Sequence, residues 1–203
     1  MGKIFYIFGK SSTGKDTIYK SLMKMLSDRL KGVVMYTTRP KREGEKDGVT
    51  YNYVTEEGYH KLKEKGLIIE ERTYDTVYGK WRYFTVKDEQ INIKENNYLI
   101  AGTLESYIST RDYFGKEVVK PIYIEVEDGE RLTRALKREK KPGNQKYAEM
   151  CRRFLSDTED FSEEKLKNEE INLRFENIDI DECVNGIIGY ITREIQETPD
   201  EQL

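Results

Sequence analysis

The chain has 203 residues, of which 36% are hydrophobic and 36% are charged. Typical domains carry about 45–50% apolar and about 25% charged residues, so the length fits one domain with a modest core and a charged surface. The 35 basic and 38 acidic residues give a net charge of −3, which excludes a global positive field for nucleic acid. No apolar stretch reaches the ~20 residues that cross a bilayer, and the two cysteines lie far apart. We therefore predict a cytoplasmic protein with reduced thiols and no membrane or nucleic-acid partner.

A glycine-rich segment at residues 9–17, GKSSTGKDT, follows a predicted strand at residues 3–8 and precedes a predicted helix. The strand is a run of β-branched and aromatic residues, and the helix has apolar residues spaced by three and four. Such a turn forms a phosphate-binding loop, because its backbone N–H groups and the helix dipole favour an anion. Lys15 adds a positive charge for the β- and γ-phosphates. Asp16 departs from the pattern GxxxxGK[ST], because it stands where a Ser or Thr hydroxyl normally meets magnesium.

A polar stretch at residues 37–48 follows a second predicted strand at residues 33–36. It carries three cations within four positions, Arg39, Lys41 and Arg42, beside a proline. Such a cluster forms either a fork for a doubly charged phosphate or a solvated surface turn. The residues alone leave both interpretations open.

The two motifs together resemble the guanylate kinase family. Its members carry a phosphate loop followed by the segment TTRxxRxGExxGxxY, and residues 37–51 read TTRPKREGEKDGVTY without a gap. The resemblance spans nearly the whole chain and weakens after residue 80. Alternating strands and helices after a phosphate loop also predict this family's fold class, an α/β doubly wound, mainly parallel sheet of the P-loop NTPase type.

The resemblance implies a single domain at residues 1–197. Its core is expected at residues 1–36 and 86–197. A small β-rich lobe for the nucleoside monophosphate is expected at residues 37–85, and a helical lid at about residues 138–147. The polar, acidic tail at residues 198–203 is predicted to be disordered.

Within the lobe, a helix is predicted at residues 55–65 with Thr55 as its N-cap. Glu70 ends a short apolar run and matches the family carboxylate that accepts N–H bonds from the guanine edge. Glu71 is the rival, because the segment from here to Tyr78 is about one residue shorter than the family's usual version. The residues that match the family's contacts to the acceptor phosphate are Arg39, Arg42, Tyr51 and Tyr78.

Residues 81–84 are predicted to return the chain to the main sheet by way of a polar helix at roughly residues 87–95. The next predicted strand, residues 98–103, matches a family strand with acidic residues near the metal and the guanine, but Ala101 and Thr103 occupy those positions. We hypothesise that Asp16 replaces the lost carboxylate and holds Mg²⁺. Alternatively, Asp16 only interacts favourably with the helix dipole.

A further strand is predicted at residues 122–126, followed by two helices around a basic break at residues 139–145. We predict that Asp128 caps the first helix and that the second begins near Tyr147. Helix, break and helix form the lid of nucleotide kinases, although a plain amphipathic hairpin has the same pattern. The lid is expected to supply Arg138 and Arg152, because phosphoryl transfer requires positive charge around the moving group. A last strand at residues 173–177 and a helix capped by Asp181 complete the chain.

The resemblance predicts transfer of the γ-phosphoryl group of ATP to GMP or dGMP, with Mg²⁺ as cofactor, by a monomer or homodimer. One alternative is a ribose 1,5-bisphosphate phosphokinase or another monophosphate kinase, because the former share the loop GKD[ST] and lack the acidic pair. Another is a non-catalytic guanylate-kinase-like module that binds phosphopeptide. The predicted catalytic residues are Lys15, Arg39, Arg138 and Arg152; the ATP contacts Gly9, Ser11, Ser12, Thr13, Gly14, Lys15, Asp16 and Thr17; the GMP contacts Arg39, Arg42, Tyr51, Glu70, Tyr78 and Thr103; and the metal ligands Asp16 and Thr17.

Overall fold

The computed structural model describes residues 1–42, 44–76, 79–141 and 145–196. Strands and helices alternate along the chain and form two sheets with flanking helices. The strands are β1 (Ile4–Phe8), β2 (Leu30–Gly32), β3 (Tyr36–Thr37), β4 (Asn52–Tyr53), β5 (Ile68–Thr76), β6 (Gly79–Val86), β7 (Asn97–Ala101), β8 (Val119–Glu125) and β9 (Arg174–Glu176). The helices are α1 (Lys15–Met25), α2 (Glu56–Glu64), α3 (Leu104–Phe114), α4 (Asp128–Glu139), α5 (Tyr147–Asp160), α6 (Glu163–Asn168) and α7 (Ile180–Gln196).

The larger sheet has five parallel strands in the order β2-β7-β1-β8-β9. Every residue of β1 is buried, as expected for a central parallel strand that is covered on both faces. Ile4, Tyr6 and Phe8 join one apolar cluster with α3 and α6, whereas the alternate residues Phe5 and Ile7 join a second cluster with α1 and α7. The predicted fold class, α/β with a mainly parallel sheet, is confirmed.

The smaller sheet has the strand order β4-β3-β6-β5 and is mixed, since β3 pairs parallel with β4 and antiparallel with β6. Together with α2 it forms what we call the small lobe. Helix α2 covers the sheet through Tyr59, which is buried and lies 5.2 Å from the Phe84 ring. The predicted cap is confirmed, because the Thr55 side chain accepts a hydrogen bond from the Gly58 N–H at 3.1 Å. The strand β5 contacts α3, which joins the small lobe to the larger sheet.

The predicted strand at residues 33–36 is wrong for residues 33–35, which lie between β2 and β3, and only Tyr36 belongs to a strand. Side-chain amides take the place of a neighbouring strand here. The Val34 N–H donates to Gln90 Oε1 at 2.9 Å, and its carbonyl accepts from Asn52 Nδ2 at 3.1 Å. The chain leaves the larger sheet after β2 and enters the small lobe at β3.

The predicted helix at residues 87–95 is also wrong, since this segment forms turns. The Gln90 N–H donates to Asp88 Oδ1 at 3.0 Å, and the Lys94 N–H donates to Asn92 Oδ1 at 3.2 Å. Such local side-chain bonds compete with the helical hydrogen bonds of the backbone. The polar residues that suggested an exposed helix instead build two short turns.

Two predicted helix caps are each displaced to a nearby acidic residue. Glu127, rather than Asp128, caps α4 by accepting a hydrogen bond from the Glu130 N–H at 3.0 Å. The side chain of Asp179, rather than that of Asp181, accepts hydrogen bonds from backbone N–H groups at the start of α7. Asp128 is not available as a cap, because its carboxylate forms ion pairs with Lys10 and Arg131.

Two smaller predictions can be compared with the described residues. Cys151 is exposed and Cys183 is buried, and neither forms a disulfide, as expected for free thiols. No helix in the described part of the chain has the length and hydropathy required to cross a membrane. The predicted tail at residues 198–203 lies outside the described residues.

We predict that Leu22→Ala lowers the free energy of unfolding by about 2–5 kcal/mol, because Leu22 is fully buried between α1 and the sheet. Met25 on the same helix is 55% exposed, so Met25→Ala is expected to change stability by no more than about 0.5 kcal/mol. Urea denaturation of both variants measures the difference. Equal losses would contradict the assignment of this helix face to the core.

Candidate active site

The segment between β1 and α1 forms a turn of the kind that binds phosphate. The helix begins at Lys15, and its N-cap Gly14 is left-handed with φ +90° and has no side-chain cap. The first-turn N–H groups are therefore not covered by a capping side chain, and they carry the positive end of the helix dipole. A Cβ atom at position 14 would lie 2.5 Å from Nδ2 of Asn177, so glycine is required here for space as well as for conformation.

Lys15 lies folded against the loop. Its Nζ donates hydrogen bonds to the carbonyl oxygens of Gly9 at 2.7 Å and Lys10 at 2.9 Å. Burial lowers the pKa of the ammonium group, while Asp16 and Asp157 oppose that effect. The loop thus holds a positive charge at the place where the sequence predicts the phosphates.

A cavity of about 620 Å³ lies between the phosphate loop, the carboxyl end of β7, and the small lobe. This volume is in the usual range for small-molecule sites. Lys15 contributes from the loop, Thr103 and Glu105 from the segment that begins α3, Tyr74 from β5, and Asp157 from α5. One cavity therefore reaches from the phosphate loop to Tyr74 of the small lobe, whereas the predicted acceptor contacts Arg39, Arg42, Tyr51 and Glu70 do not line it.

Asp16 and Thr17 are exposed and open onto a different, smaller cavity of about 260 Å³, which Arg134 and Arg138 also line. Thr103 lines the large cavity instead, and Lys15 lines both. A carboxylate and a hydroxyl beside a phosphate site are suitable oxygen donors for Mg²⁺, which usually keeps waters and substrate phosphates as its other ligands. No cluster of three or more His, Cys, Asp or Glu side chains suited to hold a metal ion occurs in the described ranges.

The predicted lid arginines lie in different surroundings. Arg138 lines the smaller cavity at the loop and approaches Glu139 at 3.4 Å. Arg152 is exposed, forms a bidentate pair with Glu149 at 2.8 and 2.7 Å, and lines neither of the two cavities. The structure brings Arg138 to the phosphate loop but leaves Arg152 outside. Residues 142–144 of the predicted lid lie outside the described part of the chain.

Arg39 is buried, and its guanidinium group is held on several sides. It donates to both carboxylate oxygens of Glu45, at 2.7 and 3.0 Å, and its Nε donates to the Tyr83 hydroxyl at 3.1 Å. The hydrogen bonds that Glu45 accepts from the Arg39 side chain and the Arg42 N–H lower the pKa of its carboxyl to about 2. The Tyr51 ring lies 5.6 Å from the guanidinium carbon. Arg42 is exposed nearby, and its backbone N–H also donates to Glu45.

Glu70 and Glu71 have different environments on β5. Glu70 is 3% exposed, whereas Glu71 is committed to the Tyr59 hydroxyl and the Lys63 ammonium group in the small lobe. The Thr85 hydroxyl donates to Glu70 Oε1 at 2.8 Å, and Glu70 Oε2 makes no hydrogen bond. Burial raises the pKa of the Glu70 carboxyl. Arg72 Nε lies 3.6 Å from this Oε2 atom and forms an ion pair with it. Of the two carboxylates, Glu70 is therefore the one with an oxygen that accepts no hydrogen bond.

The remaining predicted acceptor contacts are Thr103 and Tyr78. Thr103 caps α3, where its hydroxyl accepts a hydrogen bond from the Ser106 N–H at 3.3 Å. Tyr78 lies outside the described residues.

Sequence reasoning assigned no role to three residues that the structure places at these sites. Arg72 approaches Glu70 at 3.6 Å in the small lobe. Arg131 and Asp157 contact each other and the backbone of the phosphate loop. The spacing of Arg131 three residues before Arg134 was the only available signal, and it places the two on neighbouring turns of α4 without indicating a contact to the loop.

A glycine-rich loop at the carboxyl end of a central parallel strand, with a cavity that reaches an inserted lobe, defines a P-loop nucleotide-binding protein. The family model "Guanylate kinase" matches residues 1–185. A guanylate kinase from Caldanaerobacter subterraneus subsp. tengcongensis is 30% identical over 195 residues, which is 95% of this chain and 88% of that protein. The chain belongs to the guanylate kinase family.

Shorter sequence alignments and one solved structure agree with this family membership. Guanylate kinases from Thermotoga maritima and Schizosaccharomyces pombe are 42% and 44% identical over 84 and 64 residues. These alignments span 41% and 32% of this chain, and 40% and 32% of the length of those relatives. The crystal structure of guanylate kinase from Anaplasma phagocytophilum shares the fold with a TM-score of 0.62 at 22% identity, over 97% of this chain and 88% of that one. These relatives do not favour the ribose bisphosphate phosphokinase or the peptide-binding module.

We predict that Gly14→Ala destabilises the protein by about 1 kcal/mol more than Gly66→Ala. Both glycines have positive φ, but a Cβ at position 66 meets no atom within 4 Å, whereas one at position 14 displaces the Asn177 side chain. That displacement breaks the hydrogen bond from Asn177 Nδ2 to the Thr13 carbonyl, which is 2.7 Å long. Denaturant unfolding in the absence of nucleotide measures both losses, and equal losses would contradict the predicted clash.

Proposed function

We propose that the protein transfers the γ-phosphoryl group of ATP to GMP or dGMP, giving ADP and the corresponding nucleoside diphosphate, with Mg²⁺ as cofactor. The observation that carries the proposal is that Lys15 of the phosphate loop and Tyr74 of the small lobe line the same cavity. In this arrangement a donor nucleotide at the loop faces an acceptor in the lobe. Membership of the guanylate kinase family supports the same reaction.

The reaction requires positioning and charge neutralisation rather than a general base. An oxygen of the acceptor phosphate is already a nucleophile, and it attacks the γ-phosphorus while the bond to the β-phosphate oxygen breaks. Lys15 and the N–H groups of the loop neutralise charge on the donor phosphates. Arg138 is close enough to the loop to contribute further positive charge. Arg152 reaches the site only if it leaves Glu149, as expected for a lid that closes over bound nucleotide.

In the small lobe, Arg39, Arg42, Tyr51 and Tyr78 are proposed to hold the acceptor phosphate. Glu45, Pro40 and Tyr83 accept hydrogen bonds from four of the five N–H groups of Arg39 and so fix the orientation of the guanidinium group. Arg39 keeps one N–H for the phosphate, and Arg42 and the tyrosines would supply the other contacts. Glu70 is proposed to accept N–H groups of the guanine edge through Oε2. Because Glu70 is 3% exposed, the small lobe must move away from α3 for the base to enter.

Asp16 and Thr17 are proposed to contact the magnesium ion on the side of the loop. The ion, when bound, neutralises charge on the β- and γ-phosphates. The carboxyl end of β7 offers Ala101 and no carboxylate, whereas the Asp16 carboxylate is exposed at the loop. Asp16 would thus supply the acidic side chain that the strand lacks.

The first test is an assay of ADP release with ATP and Mg²⁺, with GMP, dGMP, IMP, AMP, UMP and ribose 1,5-bisphosphate as acceptors. We expect turnover with GMP or dGMP to exceed that with each of the other compounds. IMP lacks the exocyclic amino group of guanine, so a lower kcat/KM for IMP would support reading of the guanine edge by Glu70. Turnover restricted to ribose 1,5-bisphosphate, or none with any acceptor, would contradict the proposed function.

We predict that Asp16→Ala raises the Mg²⁺ concentration needed for half-maximal rate by about tenfold or more. Asp181→Ala is the matched control, because Asp181 is also an acidic residue in the first turn of a helix but lies on α7. Both changes remove an interaction with a helix dipole, and only the first removes the proposed metal contact. The same Mg²⁺ dependence in the two variants would assign Asp16 to the dipole alone.

A further inference from the structure

Both backbone groups of Ser11, in the phosphate loop, are held by side chains from outside the loop. The Ser11 N–H donates to Asp157 Oδ2 at 2.7 Å, and the Ser11 carbonyl accepts from Arg131 Nη1 at 3.0 Å. The same Nη1 lies 3.2 Å from Asp157 Oδ2. Arg131 belongs to α4 and Asp157 to α5, the helices on either side of the predicted lid.

The guanidinium group of Arg131 is fixed in place. Its side chain is 1% exposed, and Asp128 accepts hydrogen bonds from its Nε at 3.0 Å and its Nη2 at 2.9 Å. The Phe154 ring lies 4.6 Å from its central carbon, a distance typical of a cation–π contact. A buried cation with this many partners has little freedom to move, so it determines where the Ser11 carbonyl points.

The next residue, Ser12, has φ +65°, which is the left-handed region that non-glycine residues rarely occupy. Its own side chain does not compensate, because the buried Ser12 hydroxyl has no hydrogen-bond partner in the structure. The strained conformation must therefore be stabilised by its surroundings. The Ser11–Ser12 peptide, whose oxygen Arg131 binds, is the point at which that stabilisation acts.

We propose that Arg131 and Asp157 are positioning residues for the donor nucleotide. By holding both backbone groups of Ser11, they keep Ser12 left-handed, and this conformation turns the N–H groups of the loop toward the phosphates before the nucleotide arrives. The inference rests on the proposed binding of a nucleoside triphosphate at the loop. It predicts an effect on affinity for the donor, and none on affinity for the acceptor.

The substitution Ser12→Gly distinguishes a positioning role of Asp157 and Arg131 from a role in fold stability alone. Glycine adopts positive φ without strain, so a loop that carries Ser12→Gly depends less on Asp157 and Arg131. A residue that only stabilises the fold would have the same effect in both backgrounds. The coupling between positions 157 and 12 is therefore the decisive quantity.

The experiment is calorimetric titration of the full chain with ATP and Mg²⁺, and separately with GMP. We expect Asp157→Ala to weaken ATP binding by about tenfold, as for the loss of a hydrogen bond to a charged group, and to leave the affinity for GMP unchanged. In the Ser12→Gly background the same change is expected to weaken ATP binding by less than about threefold. Glu163→Gln is the control, because it removes an ion pair between Glu163 of α6 and Arg174 of β9, and neither side chain makes a hydrogen bond to the loop.

Asp157→Asn covers the case in which Asp157→Ala does not fold. It keeps an oxygen for the Ser11 N–H and loses the charge beside Arg131, so we expect a smaller loss of ATP affinity that again shrinks in the Ser12→Gly background. Equal losses in the two backgrounds, or ATP binding by Asp157→Ala that matches or exceeds that of the wild type, would overturn the positioning role. Wild-type protein that binds no ATP would overturn the proposed function and this inference with it.

Discussion

The backbone of the phosphate loop is the constraint on which the rest of the structure depends. Between the buried strand β1 and the first turn of α1, the chain passes through positive φ angles at Ser12 and Gly14. Distant segments meet at this turn. The Ile124 carbonyl of β8 lies where a side chain at Gly9 would be, and Asn177, which follows β9, donates to the Thr13 carbonyl. The parallel sheet brings these segments together because its strands end at one edge.

The phosphate loop and the cap of α2 were predictable, because each is signalled by residues that are close to one another in the sequence. Glycine and lysine at fixed spacing after a buried strand indicate the loop, and the Thr55 cap follows from residue type and position. The displaced caps show the limit of such reasoning. Asp128 is a good cap by residue type, but Lys10 and Arg131 bind its carboxylate in the folded protein. Which of two adjacent acids caps a helix is decided by partners that are far away in the sequence.

The acceptor side shows a similar limit. A regular strand turns consecutive side chains to opposite faces, yet Ile69 and Glu70 are both buried, and the pairing of β5 with β6 shifts register between Ile68 and Glu70. The structure separates Glu70 from Glu71 by burial and hydrogen-bond partners, which no spacing rule reveals. The contact of Arg131 with Asp157 likewise joins residues on different helices, and only the packing of α4 against α5 creates it.

The pairing of β1 also has a consequence for the order in which the protein folds. Ile4 lies beside Tyr98 of β7 and Val119 of β8, so the central strand pairs only with strands that begin at Asn97 or later in the chain. During synthesis β1 is made before β7 and β8 and cannot pair with either strand until that strand has been made. Long-range parallel pairing of this kind closes large loops and is slow. The strands of the small lobe all lie between residues 36 and 86. They can therefore pair with one another before β7 and β8 have been made.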